Sequence, residues 1–103
     1  MKDLQKKVEE FVKKYNLSHS DEISTLDLVS EIGEVAKEII KSTNYGNSPP
    51  EEREELKSEL GDCLYSLIVL SNKHNINLEE ALDSVIQKYE SRLKDKGSAG
   101  SGR

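Results

Sequence analysis

The chain carries one six-residue pattern twice, Ser-Glu-Ile-Gly-Glu-Val from Ser30 to Val35 and Ser-Glu-Leu-Gly-Asp-Cys from Ser58 to Cys63. Each copy sets two carboxylates three residues apart, Glu31 with Glu34 and Glu59 with Asp62, a spacing that keeps both acids on one face of a helix. Asp27 and Glu38 extend the first pair into a stripe within about 60° of arc, at 100° per residue, and Glu55 extends the second. Both stripes are displaced in the same sense from the apolar stripe of their own helix. Two antiparallel helices with apolar faces together therefore bring the stripes out on the same side, with Glu31 and Glu34 facing the space that Glu59 and Asp62 face. Four carboxylates around one space repel unless a cation sits among them or their pKa values climb far above the usual ~4. A metal is the simpler resolution. An all-oxygen set, without a cysteine ligand or a nearby histidine, suits a hard ion such as Mg²⁺ or Mn²⁺ and disfavours zinc. His19 and His74 lie outside both motifs, and no Glu-x-x-His pattern supports a di-iron bundle.

A single Glu-x-x-Glu on a helix is ordinary solvated surface. Two features argue otherwise here: the second copy, and the near-continuous apolar run CLYSLIVL that begins directly after Asp62. A run apolar all round implies burial, and charges entering a buried helix need partners. The glycine inside each motif, Gly33 and Gly61, costs a helix about 1 kcal/mol relative to alanine and fits a close approach of neighbouring helices at that level.

Four helical segments position these residues. The first, about 2–15, spaces Leu4, Val8, Phe11, Val12 and Tyr15 helically and is broken by residues 16–19. Ser20 N-caps the second, which has Asp21 and Glu22 in its first turn and runs to about Lys41. After the turn formers STNYGNS, Ser48 caps a third helix, with Pro49 at its first position and Glu51 completing a capping box, running to about His74. Asn77 with Glu80 repeats the capping signal, and Ala81, Leu82, Val85, Ile86, Tyr89 and Leu93 form the apolar stripe of the fourth. The short connection between the second and third helices favours the antiparallel pairing that the carboxylates require. Phe11, Tyr15, Tyr45 and Tyr65 read as core rather than as a stacking platform, and there is no tryptophan.

At 103 residues and 11.6 kDa the chain is one domain, residues 1–96, followed by a Gly/Ser tail, 97–103. The tail reads as flexible; the other reading is a loop that closes over a phosphate. Few aromatics and only two prolines give an all-α class. A net charge of −5 with 34% charged residues excludes a basic nucleic-acid-binding face, and any polyanionic ligand needs a bridging cation. Cys63, the single cysteine, has no intramolecular disulfide partner and reads as a small core residue. No apolar stretch nears the ~20 residues of a membrane span, and the start lacks the apolar segment of a signal peptide. The expected location is the cytoplasm. CLYSLIVL is apolar on more faces than a lone small bundle covers, so self-association is expected.

The stretch LVSEIGEVAKEI followed by ELKSELGDCLYSLIVLSNKHNINLEEAL resembles the MazG-like nucleotide pyrophosphohydrolases of the all-α NTP pyrophosphatase superfamily, over most of the chain from the second helix into the fourth. The resemblance implies a four-helix, oligomeric bundle, a dimer or dimer of dimers. It implies Mg²⁺-dependent hydrolysis of nucleoside triphosphates to the monophosphate and pyrophosphate, a nucleotide-pool house-cleaning role, and Glu31, Glu34, Glu59 and Asp62 as metal ligands. Many members begin the first motif with two consecutive glutamates, whereas this chain has Ser30 before Glu31. QKYESR resembles a basic segment that contacts phosphates in the family, which implies that role for Lys88 and Arg92, four residues apart on one edge of the apolar stripe. Glu38 is a candidate for orienting or deprotonating the attacking water, in competition with Asp27 and Glu55. Lys41 extends the same face toward phosphate. Two other readings are a non-catalytic helical interaction protein whose acids serve solubility, and a metal-dependent phosphohydrolase acting on another nucleotide-like substrate.

Overall fold

The computed structural model describes residues 1–96; the Gly/Ser tail lies outside the described residues. Four α-helices follow in order, α1 (Lys2–Tyr15), α2 (Asp21–Ser42), α3 (Glu54–Lys73) and α4 (Leu78–Lys96), with no strand among the described residues. The class is all-α, as the composition indicates.

Local chemistry sets most of the boundaries. Asn16 takes the left-handed conformation, φ 54°, that ends α1. The Ser20 hydroxyl accepts the Ile23 N–H at 3.2 Å to start α2. Asn77 does the same for α4, its Oδ1 accepting the Glu80 N–H at 3.0 Å. The start of α3 differs from the sequence reading: the helix begins at Glu54, not Pro49, and neither Ser48 nor Glu51 forms a capping box. The physical reason lies in the proline pair, since Pro50 biases the residue before it toward extended backbone. The Glu51 N–H turns back to the Ser42 carbonyl at 3.0 Å. Arg53 remains extended, φ −133° and ψ 129°, with its side chain directed at Glu38.

The broadest helix interface is α2 against α3, and a smaller one sets α1 on α3. Ion pairs at both ends show that α2 and α3 run antiparallel. At one end Asp21, in the first turn of α2, meets Lys73 at 3.3 Å and His74 at 3.1 Å at the close of α3, and the Lys73 ammonium also donates to the His19 carbonyl. At the other end Glu38, near the close of α2, meets Arg53 just ahead of α3. Gln5 of α1 ties the α3–α4 turn. Its Nε2 donates to Asn72 Oδ1 at 3.0 Å and to the Ile76 carbonyl at 2.8 Å, while its Oε1 accepts the Leu78 N–H at 2.9 Å. That last bond satisfies one of the orphan donors that open α4.

The core of the single chain is small. Ile68 alone among the described hydrophobic residues is fully buried, at 2% exposure. The expectation that CLYSLIVL is buried all round holds for Ile68 and fails within one chain for Leu64 and Leu67, each 39% exposed. The aromatic residues divide. Phe11 packs against Tyr15 and edge-on against Tyr65, whose ring centroid is 6.1 Å away, whereas Tyr45 stands in the α2–α3 turn at φ 59° and is exposed. Gly33 and Gly61 also differ from expectation. A Cβ at either would meet nothing within 4 Å, because both face outward from the seam and no helix of the chain approaches them closely. Helix α4 has no broad interface with any other helix and leaves Leu82, Ile86, Tyr89 and Leu93 exposed.

Candidate functional site

Antiparallel pairing of α2 and α3 brings the two motif copies face to face. One carboxylate oxygen each from Glu31, Glu59 and Asp62 lies within 4.8 Å of the other two. Glu31 and Glu59 are half-buried and Asp62 is exposed at the mouth. The placement follows from helix geometry: Glu59 and Asp62 share a face of α3 at i and i+3, and Glu31 reaches across the seam from α2. Glu34 is not one of the three, yet its charge is the largest of those acting on Glu59.

The electrostatics of Glu59 express the crowding. Partial desolvation, followed by the negative charges of Glu34, Asp62, Glu31 and Glu38, pushes its carboxyl above the ordinary value of 4.5. The donor set fits a hard divalent ion, since its atoms are all carboxylate oxygens and they crowd at a separation that one cation can bridge.

The remaining sequence-derived residues fall into distinct environments. Glu38 is buried, its side chain 9% exposed, and its Oε2 accepts from Arg53 Nε at 2.7 Å. That short charge-assisted bond and the Glu38 charge raise the Arg53 pKa above its already high ordinary value, with Glu55 and Glu51 adding to the effect. The Arg53 guanidinium also lies 4.0 Å from Glu55. Lys41 stands exposed in the last turn of α2. On α4, the Lys88 ammonium lies over the ring of its neighbour Tyr89, 5.6 Å from the centroid, and Arg92 is half-buried. Helix α4, which carries both, has no broad packing against α2 or α3.

Arg53 is the residue that sequence reasoning missed. Its signal was present, a lone cation inside Glu-Glu-Arg-Glu-Glu. The expectation of a helix from Pro49 concealed it by placing Arg53 on a regular turn rather than on an extended strut.

A proton held more tightly by folded Glu59 than by the unfolded chain gives a stability contribution that is complete below the unfolded value and lost as pH rises through the raised folded value. Metal-free protein is therefore expected to lose stability as pH climbs above the ordinary carboxylate range, and Glu59→Gln to flatten that fall. Thermal unfolding of chelator-treated protein from about pH 4 to about pH 7 measures both; parallel profiles for the two proteins would contradict the account.

Comparison with known proteins adds an independent finding. The family model for the MazG nucleotide pyrophosphohydrolase domain matches residues 19–96. Two solved structures are similar to the chain. One is YPJD from Bacillus subtilis, which carries the provisional name of a pyrophosphatase; it is 33% identical with a TM-score of 0.73, over 85% of this chain and 92% of that one. The other is the Bacillus-conserved MazG protein, described as a nucleotide pyrophosphohydrolase, 32% identical with a TM-score of 0.74 over 92% of this chain and 94% of that one. No curated protein sequence matches. With the matched region running from the start of α2 through the end of α4 and enclosing both carboxylate motifs, the chain belongs to the MazG nucleotide pyrophosphohydrolase family.

Proposed function

We propose that the protein is a divalent-metal-dependent nucleoside triphosphate pyrophosphohydrolase, converting a ribo- or deoxyribonucleoside triphosphate and water to the monophosphate and pyrophosphate. The observation that carries the reading is the meeting of Glu31, Glu59 and Asp62 oxygens within 4.8 Å across the α2–α3 seam. Carboxylates drawn from both motif copies converge on one point. Family membership supplies the reaction class, and a nucleotide-pool house-cleaning role in the cytoplasm is consistent with it. No helix of the described residues is long and apolar enough to cross a membrane.

Glu31, Glu59 and Asp62 would hold Mg²⁺ or Mn²⁺, with Glu34 one turn along α2 completing the set. The ion, when bound, supplies charge that lets this acidic site accept a polyphosphate, and lowers the pKa of an attacking water. The chain's own residues do the rest. Glu38 is fixed by Arg53 through Oε2, which leaves Oε1 to orient the water or take its proton. Water attacks the α-phosphorus, the bond from that phosphorus to the α–β bridging oxygen breaks, and pyrophosphate leaves. Lys41 extends the acidic face toward the phosphate chain, and Lys88 and Arg92 are assigned to the same chain from α4. Glu34→Gln and Asp62→Asn are expected each to abolish metal-dependent pyrophosphate release while preserving helicity, with Glu10→Gln on α1 as the silent control. Chromatography of the products and circular dichroism measure the two properties. Orthophosphate without pyrophosphate, or full activity in both motif variants, would overturn the reading.

The active form is proposed to be a homo-oligomer. Leu26, Val29, Ile32 and Ile39 along α2 are exposed, as are Leu82, Ile86, Tyr89 and Leu93 along α4, an apolar extent that soluble monomers rarely present. Sedimentation equilibrium is expected to give a dimer or a dimer of dimers. A monomer whose mass does not change with concentration would contradict it.

A further inference from the structure

One helical turn from the carboxylates the same seam opens into a small cavity of about 160 Å³, whose apolar wall includes Leu17 and Val69. Asp27 precedes Glu31 by four residues on α2, and Ser66 follows Asp62 by four on α3, so both stand roughly 6 Å along the helix axes from the metal-binding acids at 1.5 Å per residue. Ser24 and Asp27 line the cavity from α2, Tyr65 and Ser66 from α3, and His19 from the α1–α2 connection.

The polar groups here are unspent. Ser24 is 3% exposed and Ser66 9%, yet neither hydroxyl makes a hydrogen bond within the described chain, whereas the comparably buried Ser71 bonds the Leu67 carbonyl at 2.8 Å. No side-chain oxygen that is sealed from solvent lacks a partner, so these two hydroxyls open onto the cavity. Buried polar groups are ordinarily paired, so these two hydroxyls, one from each helix, are open to water or to a ligand in the cavity. Asp27 likewise has no ion-pair or hydrogen-bond partner among the described residues. The larger cavity beneath the same connection, about 360 Å³, differs in this respect, because its lysines are already engaged, Lys13 by Glu9 and Lys73 by Asp21.

We propose that the cavity between Ser24, Asp27, Tyr65 and Ser66 is the base subsite of the hydrolytic site and takes the amino-bearing edge of a cytosine-type base. The assignment rests on the nucleotide-hydrolysing reading above and names the substrate within it. Distance favours it: a base and its α-phosphate are separated by one sugar, and the cavity stands one helical turn from the acids. Size favours a single ring over a fused pair. Hydrogen-bonding chemistry then chooses between the pyrimidines. A carboxylate accepts hydrogen bonds, so Asp27 pairs with the exocyclic amine of cytosine, as carboxylates do when they read that base. The two serine hydroxyls can donate to its ring nitrogen and carbonyl oxygen. Uracil or thymine would set its own carbonyl oxygen against Asp27. Tyr65, braced edge-on by Phe11, forms a fixed wall.

Two measurements on the full chain test the assignment. Steady-state turnover of the cytidine, uridine, thymidine, adenosine and guanosine triphosphates, as ribo and deoxy forms where both exist, is expected to favour cytidine over uridine by about ten-fold or more in kcat/KM, the size of one discriminating base contact. Asp27→Asn, whose amide can donate to a carbonyl, is expected to erase most of that preference. Calorimetric binding of cytidine monophosphate and uridine monophosphate without metal provides a readout that does not depend on catalysis, with cytidine monophosphate bound more tightly and Ser66→Ala weakening it. If triphosphates are cleaved but cytidine and uridine are treated alike in both assays, and Asp27→Asn alters neither, the base assignment is overturned while the reaction stands. If no triphosphate is cleaved yet cytidine monophosphate binds in an Asp27-dependent way, the subsite stands and the reaction assignment falls.

Discussion

Mutual repulsion among carboxylates is the constraint around which this protein is organised. Glu31, Glu59 and Asp62 are held close enough to disfavour one another, and the fold must supply enough rigidity to keep them there. It does so through the α2–α3 seam, which is fastened at both ends by opposite charges. Asp21 with Lys73 and His74 closes one end, and Glu38 with Arg53 closes the other. The partly exposed contacts at Asp21 contribute little free energy by themselves. Their value is geometric, since a slip of one residue along either helix would rotate its acids by 100° and disperse the site.

The Glu38–Arg53 pair is of another kind. It is short, and its carboxylate is almost wholly buried, so removing either partner would leave an uncompensated charge. The pair anchors the extended segment before α3, and that anchoring explains why the segment does not become another helical turn. It also separates Glu38 from the three clustered acids in environment: those share one acidic space, while Glu38 has a dedicated countercharge.

Much of this was legible in the sequence. The spacing of Glu31, Glu34, Glu59 and Asp62 encodes a face, and the equal offset of the two stripes encodes the meeting of Glu31 with Glu59 and Asp62, because helix periodicity is a local property. Ser20 and Asn77 announced their helices for the same reason. What sequence could not carry was tertiary. Arg53 finds Glu38 across fifteen residues, and the proline pair overrides a capping pattern that looked sound. The pairing of Lys73 and His74 with Asp21 depends on the lengths of two whole helices. The glycines at 33 and 61 have open space around them, so their helix cost finds no compensation inside one chain. The apolar stripes of α2 and α4 are likewise uncovered inside one chain.

The claim at the centre is that the two copies of one short pattern are halves of a single cation site. Crystals of the protein grown with Mn²⁺ and a non-hydrolysable triphosphate analogue, measured for anomalous scattering, test it most directly. The account predicts anomalous density between Glu31, Glu59 and Asp62, with the phosphates on its open side. Density bound to one helix alone, or none at the seam while the analogue is bound elsewhere, would contradict it.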